Sequence, residues 1–162
     1  MNPKFKTYFM KVATETAELS HALKAKVGAI IVKDGRIISL GYNGMPAGWD
    51  NKCEHWKPKE GVMFNVPGED MDIYGEWFTN KEVLHAEANA ITKLAKSNES
   101  GEGATIVTTH MPCIECAKLI HQSGIVRVAY DKDYVASKGA GKQFLEQCGI
   151  ELEQISPDST TG

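Results

Sequence analysis

The chain has 162 residues, of which 18 are lysine or arginine and 21 are acidic, so its formal net charge is −3. This length allows one domain with a substantial core but is short for two. The acidic balance argues against a protein that works mainly on nucleic acid, because such proteins usually carry a basic patch and a high pI.

The cysteines and the N-terminal segment indicate the compartment. The four cysteines are Cys53, Cys113, Cys116 and Cys148, and two of them form a CxxC pair. The first residues are polar and interrupted by lysines, unlike a secretory signal. No apolar run approaches the roughly 20 residues that span a bilayer. We therefore expect a cytoplasmic protein with reduced thiols and no membrane partner.

The first forty residues predict a helix followed by a hairpin. Apolar residues recur at helical spacing from Phe5 to Ser20. Val27–Val32 is an apolar run typical of a buried strand. Asp34-Gly35 predicts a tight turn, after which Ile37–Leu40 returns as the antiparallel partner.

Periodicity disappears from Gly41 to about Lys81, where glycines and prolines are frequent. A loop of this length within a compact domain is usually functional or disordered. We predict a long loop or insert over residues 42–82. Its aromatic residues favour a packed lid with short ordered pieces: Trp49, Trp56, Phe64, Tyr74, Trp77 and Phe78.

The second half alternates helices with strands. The predicted helices are His85–Ser97, Cys113–Gln122 and Gly141–Cys148, and the predicted strands are Ala104–Thr109, Ile125–Tyr130 and Ile150–Ile155. The order αββαβαβαβ predicts an α/β fold, a three-layer α/β/α sandwich with a mixed central sheet of about five strands. We expect a single domain over residues 1–156 and a flexible tail over residues 157–162.

Two short motifs carry the chemistry. His85, Cys113 and Cys116 offer three ligands of the types that zinc prefers, and three protein ligands leave a fourth position for water, as in catalytic sites. Glu87 lies two residues after His85 and is the predicted proton carrier. A CxxC pair alone is also typical of redox sites or of structural zinc, for which Cys53 would be the available fourth cysteine. The pattern HxE…PCxxC is the signature of zinc deaminases.

The same motifs resemble those of the deoxycytidylate (dCMP) deaminases of the cytidine deaminase-like superfamily. The matching segments are VGAIIV (27–32), GYNGMP (41–46), HAEANAI (85–91), PCIECAKLI (112–120) and QSGI (122–125). The resemblance implies one catalytic Zn²⁺ and hydrolysis of dCMP to dUMP and ammonia, which supplies thymidylate synthesis. It also implies a homo-oligomer, with a hexamer favoured, that dCTP activates and dTTP inhibits.

The resemblance also suggests residues around the nucleotide. It implies substrate contacts from Asn43, Ala86 and Tyr130, and regulatory contacts from Gly41, Tyr42 and Gly44. Many family members carry arginines that bind phosphate where this chain has Lys24, Lys26 and Lys132. Cys53 and His55 could help to bind a second, structural zinc, which we do not expect. His110 could border the pocket, and no chemistry is assigned to it.

Two other functions share these motifs. A deaminase acting on a base in tRNA or single-stranded DNA would use the same metal site, but it needs a basic track for the nucleic acid backbone. A catalytically inactive regulatory subunit stabilised by zinc is the second alternative. Glu87 argues against that alternative, because a purely structural metal site does not need it.

Overall fold

The computed structural model describes residues 2–61, 74–133 and 141–158. The helices are α1 (Pro3–Ala17), α2 (Ala86–Leu94), α3 (Ile114–Gln122) and α4 (Lys142–Gln147). The strands are β1 (Gly28–Lys33), β2 (Arg36–Tyr42), β3 (Glu54–Pro58), β4 (Gly75–Thr79), β5 (Thr105–His110), β6 (Arg127–Lys132) and β7 (Glu151–Gln154). Within these ranges no helix is long and apolar enough to cross a bilayer.

Five of the strands form one mixed sheet in the order β2-β1-β5-β6-β7. β1 pairs antiparallel with both β2 and β5, whereas β5 with β6 and β6 with β7 are parallel pairs. Parallel neighbouring strands need a connection longer than a hairpin. α3 forms part of the connection from β5 to β6, and α4 forms part of the connection from β6 to β7. The predicted mixed sheet of about five strands is confirmed.

The turn between β1 and β2 follows from its two residues. Asp34 and Gly35 both have positive φ, 50° and 72°. A two-residue hairpin loop with positive φ at both positions matches the right-handed twist of the flanking strands, and Asp-Gly is among the preferred pairs there. The predicted hairpin is therefore present with its expected turn.

Alternate residues of the sheet bury opposite faces, which gives three layers. Ile30 and Val32 of β1 pack with Phe9 and Met10 of α1. Their neighbours on the other face belong to a second cluster that includes residues of α2, α3 and α4. Because both faces of β1 are covered, the strand is a continuous apolar run and not an alternating one. The predicted α/β/α sandwich is confirmed.

A close approach between α2 and β2 fixes the start of that helix. A Cβ added at Gly41 would lie 2.3 Å from the carbonyl oxygen of Ala86 and 2.5 Å from the backbone nitrogen of Ala90, so only glycine fits there. The side-chain amide of Asn89 donates a 2.9 Å hydrogen bond to the carbonyl of Tyr42. These contacts hold the first turn of α2 firmly against the sheet.

The segment predicted as a loop over residues 42–82 contains ordered strands. β3 and β4 pair antiparallel as a separate two-stranded sheet, in which Trp56 lies opposite Trp77. Sequence periodicity missed β4 because four of its five residues are exposed, so it shows no alternation of apolar and polar positions. Residues 62–73 of the predicted loop, and 159–162 of the predicted tail, lie outside the described residues.

Candidate metal and active site

The three predicted metal ligands meet where two helices begin. His85 immediately precedes α2, Cys113 immediately precedes α3, and Cys116 lies in the first turn of α3. The Nδ1 atom of His85 lies 3.4 Å from each of the two cysteine Sγ atoms. A tetrahedral zinc, with Zn–S near 2.3 Å and Zn–N near 2.0–2.1 Å, places nitrogen and sulfur ligands about 3.6 Å apart. The side chains therefore fit a zinc ion closely.

The electrostatics of the two thiols suit a dication. A hydrogen bond from the Cys116 thiol, followed by interactions with His85, lowers the pKa of Cys113 to about 3. The pKa of Cys116 is raised because it donates that hydrogen bond to Cys113 and because it is buried. The two sulfurs therefore lie close enough to interact directly. A metal bound between them would hold both as thiolates, since thiolate is the form that coordinates.

Glu87 lies beside the three ligands and is 4% exposed. Burial raises the pKa of its carboxyl group, and the neighbouring Cys113 raises it further. Its own backbone amide, His85 and a hydrogen bond with Cys116 act in the opposite direction. Loss of hydration disfavours the charged carboxylate, so the group can hold a proton more readily than an exposed glutamate. This is the property required of a side chain that accepts a proton and later returns it.

A cavity of about 440 Å³ opens beside this cluster. Such a volume falls within the range of small-molecule sites, about 300–1,000 Å³. Its walls come from the segment before β1, the end of β2, the β3–β4 sheet, the start of α2 and the end of β5. The lining residues are Lys24, Ala25, Val27, Asn43, Glu54, Phe78, Thr79, Val83, His85, Ala86, Glu87, His110, Met111 and Cys113.

Two polar side chains hold the wall formed by residues 23–27. Asn43 accepts a 2.8 Å hydrogen bond from the backbone N–H of Val27 through Oδ1, and its Nδ2 donates one of 2.8 Å to the carbonyl of Ala25. The buried carboxylate of Glu54 accepts hydrogen bonds from the N–H groups of Leu23, at 3.1 Å, and Lys24, at 3.3 Å. This stretch of backbone is therefore fixed from both ends. The predicted substrate contact of Asn43 stays a prediction.

The structure brings some predicted substrate residues to the cavity and leaves others away from it. Lys24 and Ala86 line it. Lys26 is paired with Glu18 at 3.0 Å, and Tyr130 is buried in the core cluster shared with α2, α3 and α4. Lys132 is exposed on β6 and is not among the lining residues. Lys132 pairs in register with His110, which does line the cavity. The substrate contacts of these three residues stay predictions.

The predicted regulatory residues connect β2 with the start of α2. Gly41 packs against the backbone of α2. The ring of Tyr42 has the ammonium group of Lys93 at 5.8 Å from its centre. Gly44 exchanges two backbone hydrogen bonds, of 3.1 and 2.8 Å, with Leu84, the residue before the metal ligand His85. The regulatory role of these residues stays a prediction.

Several lining residues were not predicted from the sequence. Glu54 and Phe78 come from the β3–β4 sheet, which carried no periodic signal, and no motif identifies them. Phe78 stacks on His55 at 6.1 Å between ring centres. His110, which the sequence suggests as a border of the pocket, also lines the cavity, three residues before Cys113.

The two residues considered for a second zinc lie apart from the ligand cluster. Cys53 has a raised pKa because it is buried and lies near Glu54. His55 hydrogen-bonds through Nδ1 with the side chain of Asn80. In the described part of the chain, a group of three or more metal-ligating side chains occurs at His85, Cys113 and Cys116 only.

Comparison with known proteins places this geometry in a family. Residues 3–132 match the model of the cytidine and deoxycytidylate deaminase zinc-binding region. The chain is 37% identical to the deoxycytidylate deaminase of Enterobacteria phage T4, with 90% of this chain and 87% of that protein covered. It is 38% identical to a probable deoxycytidylate deaminase of Drosophila melanogaster, covering 95% of this chain and 73% of that protein.

A solved structure matches over nearly the whole chain. The dCMP deaminase of cyanophage S-TIM5, crystallised with dCMP and dUMP, superposes with a TM-score of 0.77 at 38% identity. The match covers 96% of this chain and 99% of that one. The similarity therefore extends over almost the whole fold and is not confined to the short motifs.

Proposed function

The chain belongs to the cytidine and deoxycytidylate deaminase zinc-binding family, and from this premise we propose that it is a zinc-dependent hydrolase that deaminates dCMP. The reaction consumes dCMP and water and releases dUMP and ammonia. The observation that supports it most directly is the burial of Glu87 in the same cavity as His85 and the two cysteines. A structural metal site needs neither the cavity nor the carboxylate.

His85, Cys113 and Cys116 hold the metal in this proposal. Zinc bound there would act as a Lewis acid and lower the pKa of water from 15.7 towards neutrality. Glu87 takes one proton from the attacking water and passes it to the pyrimidine ring nitrogen. It then takes the remaining proton from the added hydroxyl group and passes it to the departing amino group, which leaves as ammonia while the ring carbonyl of dUMP forms. Its raised pKa suits both directions of transfer, because a strongly acidic carboxylate would release a proton but hardly hold one.

The wall of the cavity supports binding of a free nucleotide. Lys24 lines it, and its backbone is fixed by Glu54, so we assign Lys24 as the cation that faces the substrate phosphate. Ala86 is buried at the start of α2, between His85 and Glu87, and lines the cavity where we place the base. Asn43 stabilises the same wall. A base within tRNA or single-stranded DNA is the alternative substrate, and the net charge of −3 weighs against it.

Further properties belong to this proposal by family membership. The product dUMP would supply thymidylate synthesis, and dCTP and dTTP would act as activator and inhibitor. A homo-oligomeric state, with a hexamer favoured, and a cytoplasmic location stay predictions. Gly41 packs against the backbone of α2, and Gly44 hydrogen-bonds with Leu84, the residue before His85. These contacts support a regulatory role for this region, because they join it to the segment that carries a metal ligand.

The deciding experiment is a substrate panel with a matched inactive variant. Zinc-loaded protein is incubated with dCMP, deoxycytidine, CMP and cytosine-containing oligonucleotides, and ammonia release is measured. We expect release from dCMP well above that from the other compounds. Glu87→Gln should retain zinc and lose about 10²–10⁴-fold or more in turnover, the usual loss for a removed acid–base group.

Three outcomes would contradict the proposal. Preferred release from oligonucleotides would support the nucleic acid alternative. Full zinc content without ammonia from any compound would support the inactive regulatory subunit. Normal turnover by Glu87→Gln, or loss of its zinc, would remove the assigned role of the carboxylate.

A further inference from the structure

His110 lines the cavity and has one ring nitrogen outside the hydrogen bonds of the described residues. It ends β5, three residues before the metal ligand Cys113, and lines the same cavity as His85 and Glu87. Its Nδ1 atom lies 3.0 Å from the hydroxyl oxygen of Thr109. In the described part of the chain Nε2 has no hydrogen-bond partner. None of the metal or proton-transfer chemistry assigned above uses this side chain.

The hydrogen bonds of Thr109 favour one position for the hydrogen on the His110 ring. The backbone N–H of Gly28 donates to the Thr109 hydroxyl oxygen at 3.2 Å. The hydroxyl has one hydrogen of its own, and among the described residues Nδ1 of His110 is the acceptor within reach. A hydroxyl that donates to Nδ1 requires that nitrogen to be bare. The neutral ring then carries its hydrogen on Nε2.

The surroundings of His110 keep the ring neutral. Burial lowers its pKa, and the positive charge of Lys132, its register partner on β6, lowers it further, whereas Asp131 acts in the opposite direction. At neutral pH the side chain is therefore an uncharged donor. An uncharged N–H gives no special advantage towards phosphate, which charged donors bind more strongly.

The position along the chain indicates which part of a nucleotide lies nearby. Three residues of extended chain span at most about 10 Å, so His110 lies within this distance of Cys113. The reacting base must lie beside the metal ligands, and the sugar is attached directly to it. Resting on the proposed deamination of dCMP, we propose that His110 is a specificity-determining residue whose Nε2–H donates a hydrogen bond to an uncharged oxygen of the nucleotide, the ring carbonyl or the sugar hydroxyl. Thr109 is the positioning residue that fixes this tautomer.

Steady-state kinetics of two variants test the donor. His110→Phe keeps a planar ring without the donor, and His110→Gln keeps an N–H donor at similar reach. We expect His110→Phe to raise KM for dCMP roughly 5- to 150-fold with kcat within about twofold, because an oxygen left unpaired in a buried site loses that much binding in both ground and transition states. His110→Gln should recover to within about threefold of wild type.

Damage to the metal site would give a different pattern. A fall in kcat with loss of zinc, an unchanged KM in His110→Phe, or equal losses in the Phe and Gln variants would each overturn the inference. If wild-type protein with full zinc releases no ammonia from dCMP, the proposed function fails, and the inference that rests on it is overturned with it. If wild-type protein does deaminate dCMP but the His110 variants show one of the contradicting patterns above, the proposed function stands and only the role of His110 is refuted.

Competitive inhibition by two analogues identifies the acceptor. 2-Thio-dCMP lacks the carbonyl oxygen and 2′,3′-dideoxycytidine monophosphate lacks the sugar hydroxyl. Each analogue keeps all the other groups of dCMP. His110→Phe should therefore leave the inhibition constant unchanged for the analogue that lacks the acceptor of the His110 hydrogen bond, and should raise it for the other analogue. A full effect on both would assign the donor to the phosphate and overturn the choice of an uncharged oxygen.

The tautomer has a readout that does not depend on activity. Long-range ¹H–¹⁵N correlation spectra of zinc-loaded protein should show His110 protonated on Nε2 and bare on Nδ1 at pH 7. Thr109→Val should lose this preference. It should also raise KM in the wild-type background, with little further effect on KM in the His110→Phe background. An Nδ1–H tautomer or a charged ring at pH 7 would overturn the inference.

Discussion

Gly41→Ala should disturb the active site through the helix that carries it. The added Cβ would lie 2.3 Å from the carbonyl oxygen of Ala86 and 2.5 Å from the nitrogen of Ala90, whereas an ordinary contact is about 3.5–4.0 Å. The start of α2 must therefore move by about 1 Å, because both neighbours are backbone atoms. Overpacking of this kind costs about 1–3 kcal/mol. For a chain of this size that lowers the melting temperature by roughly 2–12 °C.

Activity should fall more than stability suggests. Ala86 lies between His85 and Glu87, and a displacement of about 1 Å at a reacting group can cost up to about 10²-fold in rate. We expect kcat/KM for dCMP to fall roughly 10- to 100-fold at a temperature where the variant is fully folded. Thermal unfolding, zinc content and initial rates are measured on the same preparation.

Two glycines provide matched controls. A Cβ at Gly101 would lie 2.8 Å from the backbone carbonyl oxygen of Ser123, which follows the last residue of α3 and does not line the cavity. Gly101→Ala should therefore lose stability with little loss of rate. A Cβ at Gly44 would meet only the Tyr42 ring at 3.9 Å, so Gly44→Ala should change stability by less than about 0.5 kcal/mol. Equal behaviour of the Gly41 and Gly44 variants, or equal rate losses in the Gly41 and Gly101 variants, would refute the reasoning.

Three further predictions concern the metal, the cavity wall and regulation. Cys113→Ala should lose zinc and thermal stability together, since a metal that binds only the folded site stabilises it, and equal zinc content and melting temperature would contradict this. Glu54→Ala should destabilise the fold by about 1–3 kcal/mol in urea titrations and raise KM for dCMP, because the N–H groups of Leu23 and Lys24 lose their acceptor. Glu54→Gln should recover part of the stability and part of the affinity. Unchanged stability and KM in Glu54→Ala would show that the carboxylate does not hold this wall in place. dCTP and dTTP should shift the apparent affinity for dCMP in opposite directions by roughly 5- to 150-fold, and a hyperbolic rate curve that neither nucleotide moves would indicate an unregulated enzyme.

The sequence predicts those parts of the fold that depend on local chemistry. Asp34-Gly35 requires a particular turn whatever surrounds it, and both residues have the positive φ of that turn. The apolar run of β1 predicts a strand covered on both faces, and α1 and α2 supply the covers. His85, Cys113 and Cys116 are recognisable because metal coordination restricts residue types and spacing.

The missed parts depend on packing between distant segments. β4 has one buried residue, Gly75, whose Cβ position is occupied by the ring of Trp56, and nothing within the strand itself reveals this partner. Glu54 lies at the cavity because its carboxylate accepts hydrogen bonds from backbone N–H groups about thirty residues earlier in the chain. Tyr130 packs with residues from other strands and helices in the core cluster, and its predicted substrate contact stays a prediction. These are tertiary contacts between distant segments, and the local pattern of apolar and polar residues does not predict them.

The origin of the ligands in one uninterrupted segment has a consequence for folding kinetics. His85 and Cys113 are 28 residues apart, and the chain between them comprises α2 and β5. Joining the ends of such a loop costs about (3/2)RT ln n, roughly 3 kcal/mol, far less than structural zinc returns on binding. Zinc can therefore capture this segment before the distant parts of the sheet have paired. We expect refolding to be faster with zinc present from the start than with zinc added after a chelator-controlled delay, and identical rates would mean that metal enters only the finished fold.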